Sequence, residues 1–263
     1  MPALSHVIDA LERIAPLRLA ATWDAVGLLV GTTRSELTRV MTCLTLTPEV
    51  AAEAAAERID LVVTHHPLPF RPVGRITADT GPGRTLMTLL QANCGVWSSH
   101  TAWDSAAGGI NDQLAAMLSL THVAPIEPDA DLPLTGFGRI GSAASGCTVG
   151  DLARQAAARL GVRHVQVVGD PTAPAGRVGI VCGSGGDAIE AVRLAGGSTL
   201  FTGELKLHQA LEARAAGLAV VAVGHHASEH FSMAVMAARL AEAVAGLSCL
   251  GSRTDLDPLR VFS

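Results

Sequence analysis

The sequence predicts an α/β protein with two similar, intertwined α/β halves that form a layered sandwich with mixed sheets. Apolar runs of strand length alternate with segments of helical periodicity along the chain, which is typical of layered α/β proteins. The 263 residues are 49% hydrophobic, enough for one large core or two modest ones. A segment rich in proline and acidic residues at 123–135 interrupts the alternation near the middle. We therefore expect an N-terminal half at 1–125 and a C-terminal half at 126–263.

The first half begins with an amphipathic helix. Apolar residues recur at helical spacing from Leu4 to Ile14, until Pro16 ends the pattern. After a strand at 40–46, Thr47 is a helix cap and Pro48 a first-turn proline, so a second helix is expected to continue to Arg58. The remaining elements predicted here are a strand at 61–63, a proline- and glycine-rich loop at 67–83, a helix over 86–90, a strand at 96–99 and a helix from about 111 to 118.

The second half continues the alternation. A strand is predicted at 137–140, and the next helix starts at Thr148, with Asp151 in the position that completes a capping box. The later elements are predicted as strands at 165–168, 178–182, 200–202 and 218–223, and as helices over 188–194, 204–216 and 228–245.

Composition and charge exclude several classes of protein. A net charge of -5, no Tyr, five Phe and three Trp argue against nucleic-acid binding. Five widely spaced cysteines without a C-x-x-C pair favour neither a disulfide framework nor a cysteine zinc site. The longest apolar candidate, 233–247, contains Arg239 and Glu242, so no membrane span is expected. The N-terminus lacks the pattern of a signal peptide, and a cytoplasmic location is expected.

Polar residues follow four of the predicted strands, at the point where each strand ends. Ligand sites in α/β proteins form at such strand ends, so the four groups together favour a common site. The groups are His65 with His66, His100 with Asp104, Glu204, and the segment 225–229.

The residue types in these groups indicate divalent metal binding. Adjacent side chains leave an extended backbone in opposite directions, so His65 and His66 suit two neighbouring ions. His225 and Glu229 share one helix face, but His226 and His230 have the same spacing, and spacing alone does not choose between the pairs. Imidazole and carboxylate without thiolate favour Zn, Mn, Fe or Co in a two-ion hydrolytic site. The alternatives are one structural zinc ion or a set of surface histidines.

Six segments resemble one known family, in the same order and over essentially the whole chain. The similarity is to the dinuclear-metal family of GTP cyclohydrolase 1 type 2 homologues, also called Nif-three-like proteins. The segments are WDAVGLLVG at 23–31, DLVVTHHPLPF at 60–70, SSHTAWDSAAGGIND at 98–112, CGSGGD at 182–187, TGELKLHQAL at 202–211 and GHHASE at 224–229.

The resemblance implies a site for two divalent ions, which lies between the two halves. By position, His65 and Asp104 correspond to the ligands of one ion, His66 and His225 to those of the other, and Glu229 to the residue that bridges both. Zinc is the first expectation, and Mn, Fe and Co are the alternatives. The resemblance also implies the short form of the family, without an inserted domain, assembled as a toroidal homo-hexamer whose metal sites face an internal cavity.

The implied function is that of a metal-dependent hydrolase, in which metal-activated water attacks C8 of a guanine-type, nucleotide-like substrate. His100 and His208 are candidates for proton transfer as formate leaves, or for hydrogen bonds that orient a ligand. Glu204 is a candidate pocket residue, or a carboxylate at a helix N-terminus that the helix dipole stabilises. The alternative function is non-catalytic: metal storage or delivery, or a regulatory interaction ring.

Four further features concern the substrate and the departures from the family. Trp23, Trp97 and Trp103 lie beside the motifs, either to stack on a purine or to pack a rim. The CGSGGD turn would either bind phosphate or simply connect a strand to a helix. Ala25 replaces the usual Asn of the family, and the acidic residue that often precedes TGE is absent. Both departures bear on substrate contacts or local packing.

Overall fold

A computed structural model of the chain describes residues 1–260, in which helices and strands alternate as the sequence predicts. The α-helices are α1 (Leu4–Ile14), α2 (Pro48–Ala56), α3 (Gly81–Gln91), α4 (His100–Ser105), α5 (Ile110–Met117), α6 (Val149–Leu160), α7 (Ile189–Leu194), α8 (Leu207–Ala215), α9 (His225–Glu229) and α10 (Ser232–Ala243). The strands are β1 (Gly27–Val30), β2 (Arg39–Cys43), β3 (Leu61–Thr64), β4 (Gly95–Ser98), β5 (Thr121–Ala124), β6 (Glu127–Pro128), β7 (Gly136–Phe137), β8 (Arg139–Ser142), β9 (Gln166–Val168), β10 (Arg177–Val181), β11 (Thr199–Thr202), β12 (Ala219–Ala222) and β13 (Ser248–Gly251). Short 3-10 helices lie at Leu17–Leu19 and Gly185–Ala188.

The chain forms two compact units that interleave in sequence. The first unit comprises residues 1–103 and 232–258, and the second comprises 104–231 with residues 259 and 260. The chain leaves the first unit directly after Trp103 and returns to it at Ser232. Each unit has its own sheet, so the α/β class with mixed sheets is confirmed.

The first unit contains a five-stranded sheet in the order β1-β4-β3-β2-β13. Strands β13, β2, β3 and β4 are parallel, and β1 pairs antiparallel with β4. Every residue of β3 and β4 is buried, as expected for strands covered on both faces. The core of this unit includes Met41, Val62, Leu89 and Val96.

The second unit contains a six-stranded sheet in the order β5-β8-β10-β11-β12-β9. Its centre is the parallel trio β10, β11 and β12, while β5, β8 and β9 pair antiparallel. Val192, Leu200, Leu218 and Val220 belong to the core beneath this sheet. A separate ribbon joins β6 and β7.

Local sequence signals placed several helix starts correctly. The Thr47 side chain accepts a hydrogen bond from the amide of Val50, with Pro48 in the first turn. At α6 the Thr148 hydroxyl accepts from the amide of Asp151, and the Asp151 carboxylate accepts from the amide of Thr148. This is the reciprocal capping box that the sequence predicts.

Several elements differ from the prediction, mainly where tertiary contacts decide. The helix predicted over 228–245 is two helices, α9 and α10, because the chain passes from one unit to the other at Ser232. Strand β13 has the sequence SCLG, without an apolar run, and is set by pairing with β2. The segment 123–135 holds the end of β5 and all of β6 as well as a connection. None of the helices in the described part of the chain has the length and apolar character of a membrane span.

Glu53 of α2 anchors the segment that follows β13. Its carboxylate accepts hydrogen bonds from the Ser252 hydroxyl (2.6 Å) and the Thr254 hydroxyl (2.8 Å), and it pairs with the Arg253 guanidinium at 3.1 Å. Burial alone would raise the pKa of Glu53, but hydrogen bonds from Ser252, Arg253 and Thr254 outweigh it and lower the pKa to about 2. The ionised form is therefore strongly preferred in the folded state.

We expect Glu53→Gln to reduce the free energy of unfolding at pH 7. A pKa lowered from 4.5 to about 2 corresponds to about 3 kcal/mol, which is an upper limit for the loss in the free energy of unfolding. Because the folded-state pKa is lowered, this stability is present above about pH 4.5 and is lost as the pH falls towards 2. Urea denaturation of both proteins at pH values from 7 to 3.5 should show the difference narrowing below 4.5. Glu242→Gln, at an exposed position on α10, should behave like the parent protein. A difference that is independent of pH would contradict this account.

Candidate metal centre

His65 and His66 follow β3 directly, at the end of the buried parallel strands. The amide of His65 donates to the carbonyl of Cys43 (3.0 Å), and the amide of His66 donates to that of Leu44 (2.9 Å). The Ser98 hydroxyl at the end of β4 donates to the carbonyl of His65 at 2.7 Å. The backbone at both histidines is therefore fixed by the two strands on either side of β3.

His100 follows β4 and joins the other two histidines. One ligand atom from each of His65, His66 and His100 lies within 4.8 Å of the others. We call these residues the three-histidine group. His65 is buried, and the side chain of His100 is only 15% exposed. Three imidazoles held this close form a donor set suited to a divalent metal ion.

Asp24 orients His100 through a contact with its Nδ1 atom. Its fully buried carboxylate lies 2.7 Å from Nδ1 of His100 and accepts from the amide (3.1 Å) and hydroxyl (2.5 Å) of Thr101. Burial raises the pKa of Asp24, but the hydrogen bonds from His100 and Thr101 prevail, so the pKa is lowered and the carboxylate is charged. Sequence reasoning placed Asp24 only within a motif, because 76 residues separate it from His100.

Three further candidate ligands lie in the second unit, and we call them the carboxylate group: Asp104, His225 and Glu229. Nε2 of His225 lies 3.1 Å from the Glu229 carboxylate, and its Nδ1 lies 3.0 Å from that of Glu204. The Glu229 carboxylate raises the pKa of His225 to about 9 against the opposing effect of burial, and Glu204 adds to the rise. A cation between Nε2 and the carboxylate can replace this proton, so the pair suits a metal ion.

Asp104 is positioned by residues at the exit of β10. The Cys182 thiol lies 3.2 Å from its carboxylate, and Asn111 donates to its backbone carbonyl at 3.0 Å. Asn111 also accepts from the amide of Cys182 at 2.9 Å. Burial and the neighbouring Asp104 and Glu229 raise the pKa of the Cys182 thiol well above its usual value, so it remains protonated as a donor. The sequence analysis did not anticipate this contact.

The glycines of the CGSGGD turn leave room for the carboxylate group. Gly183 has φ +61°, and a Cβ at this position would lie 2.2 Å from the Glu229 carboxylate and 3.2 Å from Nε2 of His225. Gly203, which follows β11, is also crowded, since a Cβ there would lie 2.5 Å from the Gly183 carbonyl and 2.6 Å from the Ser228 hydroxyl. That hydroxyl accepts from the amide of Gly183 at 2.9 Å and fixes the turn against α9.

The remaining histidine candidates have different surroundings. The rings of His226 and His230 stack on each other with centroids 4.4 Å apart, whereas His225 faces Glu229. Glu204 lies before α8 and is half exposed, and its carboxylate contacts Nδ1 of His225. His208 is exposed in the first turn of α8.

The three tryptophans separate into buried and exposed side chains. Trp97 and Trp103 are buried, and their indole N–H groups donate to the hydroxyls of Ser99 (3.0 Å) and Ser232 (2.9 Å). Trp23 is 65% exposed and Phe70 is 47% exposed. Their ring centroids lie 6.0 and 6.4 Å from that of His100. Trp97 and Trp103 therefore pack the interior, and Trp23 alone of the three presents its ring to solvent beside the three-histidine group.

Comparisons with known proteins give a consistent result. The sequence profile of the Duf34/NIF3 (NGG1p interacting factor 3) family matches residues 2–258. A Streptomyces coelicolor protein named GTP cyclohydrolase 1 type 2 homolog is 38% identical over 87% of this chain and 82% of its own length. A Clostridium perfringens protein of the same name is 32% identical over 86% of each chain. The crystal structure of a Bacillus cereus protein related to NIF3 has the same fold, with a TM-score of 0.92 and 21% identity over 99% of both chains.

Gly183→Ala should disturb the pair of His225 and Glu229. The new Cβ displaces the Glu229 carboxylate, so the pKa of His225 in chelator-treated protein should fall from about 9 towards its usual 6.5. NMR titration of the His225 ring measures this shift. Gly146→Ala is the matched control, because Gly146 also has positive φ (+78°) but nothing lies within 4 Å of its added Cβ. Both variants should lose about 1 kcal/mol of stability from backbone strain, and an equal pKa of His225 in both would contradict the steric argument.

Proposed function

Because the chain belongs to the Duf34/NIF3 family, we propose that it is a dinuclear-metal-dependent hydrolase that acts on a nucleotide-like substrate. The observation that carries the proposal is the pair of donor groups. Three imidazoles have ligand atoms within 4.8 Å of one another, and His225 faces a buried Glu229 carboxylate at 3.1 Å. Buried imidazole and carboxylate groups of this kind are costly unless they are paired with protons or cations.

The proposed ligands are those that the family resemblance gives. His65 and Asp104 hold one divalent ion, His66 and His225 hold the second, and Glu229 bridges both. Bound ions of this kind supply an acidic water molecule that can act as nucleophile near neutral pH. The donor set without thiolate suits zinc first, with Mn, Fe and Co as alternatives. In this proposal Glu204 keeps the His225 ring in place through its Nδ1.

The nucleotide-like substrate is supported by names and by chemistry. Relatives bear the name GTP cyclohydrolase 1 type 2 homolog. The exposed rings of Trp23 and Phe70, beside His100, provide apolar surface on which a planar base can stack. Formate release from a guanine ring needs a group that donates and accepts protons near neutral pH, and His100 and His208 are the candidates.

Untagged protein should contain close to two divalent metal ions per chain by elemental analysis. His226→Ala should keep this content, because the ring of His226 stacks on His230 and His225 faces Glu229. His225→Ala should lose about one ion. None or one ion in the parent protein contradicts the dinuclear proposal, and equal loss from both variants contradicts the choice of His225.

Metal-loaded protein should release formate from GTP and yield a pterin that fluoresces after oxidation. Glu229→Gln should lose at least about a hundredfold in turnover, because an amide lacks the charge that holds two cations close together. Formate is measured enzymatically and the pterin by fluorescence. Absence of turnover with every metal tried, while two ions remain bound, would favour metal storage, delivery or a regulatory role.

The assembly that the resemblance implies is a homo-hexamer. Light scattering at micromolar concentration should therefore give a mass about six times the 27.0 kDa of one chain. A monomer mass at that concentration contradicts this part of the proposal and leaves the metal centre to be tested separately.

A further inference from the structure

We propose that Arg34, Arg39 and Arg58 form a binding site for a small molecule that carries a phosphate group. The three side chains line one surface cavity of about 370 Å³, and all of them belong to the first unit. Sites for small molecules have volumes of about 300–1,000 Å³, so the cavity has room for more than a bare phosphate ion. This phosphate site requires neither a bound metal ion nor the proposed hydrolase reaction.

The cavity lies at the amino-terminal ends of the parallel strands, whereas the three-histidine group lies at their carboxyl ends. Arg39 is the first residue of β2 and Asp60 directly precedes β3, but His65 directly follows β3. Because β2 and β3 are parallel, their first residues meet at one edge of the sheet. The extended chain from Asp60 to His65 spans about 16 Å at about 3.3 Å per residue. The phosphate site is therefore separate from the candidate metal centre.

Arg34 is fixed through one nitrogen and keeps its two terminal nitrogens available. Its Nε lies 3.2 Å from the Asp60 carboxylate and donates to the carbonyl of Asn93, also at 3.2 Å. Within residues 1–260 its Nη1 and Nη2 atoms have no hydrogen-bond partner, and the side chain is 39% exposed. Two neighbouring N–H donors in the plane of one guanidinium match two oxygens of a phosphate group.

Arg39 and Arg58 supply further donors. One terminal nitrogen of Arg39 lies 3.0 Å from the Glu57 carboxylate, which also pairs with Arg253 at 2.6 Å, so Glu57 neutralises Arg39 only in part. The Nε of Arg39 is a buried donor without a partner, which is costly for the protein alone. Arg58 is exposed, and its guanidinium makes no hydrogen bond or ion pair in the part of the chain that the structure describes. These groups leave unsatisfied positive charge at the cavity.

The one carboxylate in the cavity lining, Asp60, does not cancel this charge. It accepts hydrogen bonds from the amide (2.7 Å) and hydroxyl (2.9 Å) of Thr38 and from the amide of Arg39 (3.0 Å). Three guanidinium groups and one carboxylate give the lining a net formal charge of +2, although the whole chain has -5. A phosphate monoester carries about -1.5 to -2 at pH 7, so its charge balances that of the lining.

The backbone at Arg58 favours a role beyond that of a surface cation. Arg58 follows the C-cap of α2 with φ +54°, and the amides of Arg58 and Ile59 make the two hydrogen bonds of a Schellman motif. Glycine is preferred at this position, and an arginine there costs free energy. The helix dipole of α2 explains a positive charge at its end. It does not explain why Arg34 and Arg39, from a different segment, line the same cavity.

The test measures the binding of inorganic phosphate and of phenyl phosphate to the full chain by calorimetry at constant ionic strength. We expect one site per chain, both in metal-loaded and in chelator-treated protein. Arg58→Gln should weaken binding at least about 10-fold, and Arg34→Gln together with Arg58→Gln about 100-fold, because charge-assisted hydrogen bonds are lost. Arg159→Gln, at an exposed arginine in the last turn of α6, is the matched control and should change nothing.

Two further variants separate binding from the stability of α2. Arg58→Gly removes the guanidinium and relieves the positive φ, so affinity should fall as with Arg58→Gln while the midpoint of urea unfolding stays unchanged or rises. Arg58→Lys should retain part of the affinity, because lysine keeps the charge and lacks the planar fork of donors. If Arg34→Gln fails to fold by circular dichroism, the variants of Arg58 still decide.

The outcomes separate the phosphate site from the proposed function. Phosphate that is lost with the metal ions and is insensitive to Arg58→Gln is bound at the metal centre, and the phosphate site is then wrong. Lower stability of Arg58→Gln and Arg58→Gly at unchanged affinity assigns Arg58 to the helix end alone and overturns the site, as does binding of neither probe. Phosphate binding that depends on Arg58 in a chain that holds no metal ion leaves the site standing and contradicts only the dinuclear proposal.

Discussion

The arrangement of polar groups depends on one constraint, namely that the central parallel strands of both units are buried. Every residue of β3, β4 and β11 is buried, so an ionisable side chain on these strands would lose its hydration. Polar chemistry is therefore confined to the strand ends, where backbone groups and loops are available as partners. His65, His100 and Glu204 all follow this rule. Because neighbouring parallel strands end at the same edge of a sheet, each sheet brings side chains together that are distant in sequence.

Space at these strand ends is as important as the donors. The glycine turn after β10 allows Glu229 and His225 to approach the backbone at Gly183, where a Cβ would lie 2.2 Å from the carboxylate. In the same turn, the Cys182 thiol contacts the Asp104 carboxylate, and the amide of Gly183 donates to the Ser228 hydroxyl of α9. These contacts explain the glycine-rich sequence by close packing around carboxylates. An anion-binding turn, the alternative explanation of this segment, would have to accommodate the negative charge of Glu229 beside it.

Sequence reasoning succeeded where the information is local and failed where it is distant. The caps at Thr47 and Thr148 were predictable because all partners lie within three residues. The positions of His65 and His66 after a strand were predictable from an apolar run followed by polar residues. The contact of Asp24 with His100 spans 76 residues, and that of Cys182 with Asp104 spans 78. No periodicity or spacing rule encodes such pairs, and only the packing of the strands brings them together.

The charge of the carboxylates around His225 affects the binding of both metal ions and protons. The carboxylates of Glu204 and Glu229 place negative charge around His225, which is one of the proposed metal ligands. In metal-free protein part of this negative charge is balanced by a proton on His225, whose pKa is about 9 because of Glu229 and Glu204. A metal ion at His225 has to displace that proton at neutral pH, so its apparent affinity falls as the pH falls. The carboxylates that make the centre attractive to cations therefore also make protons its main competitor.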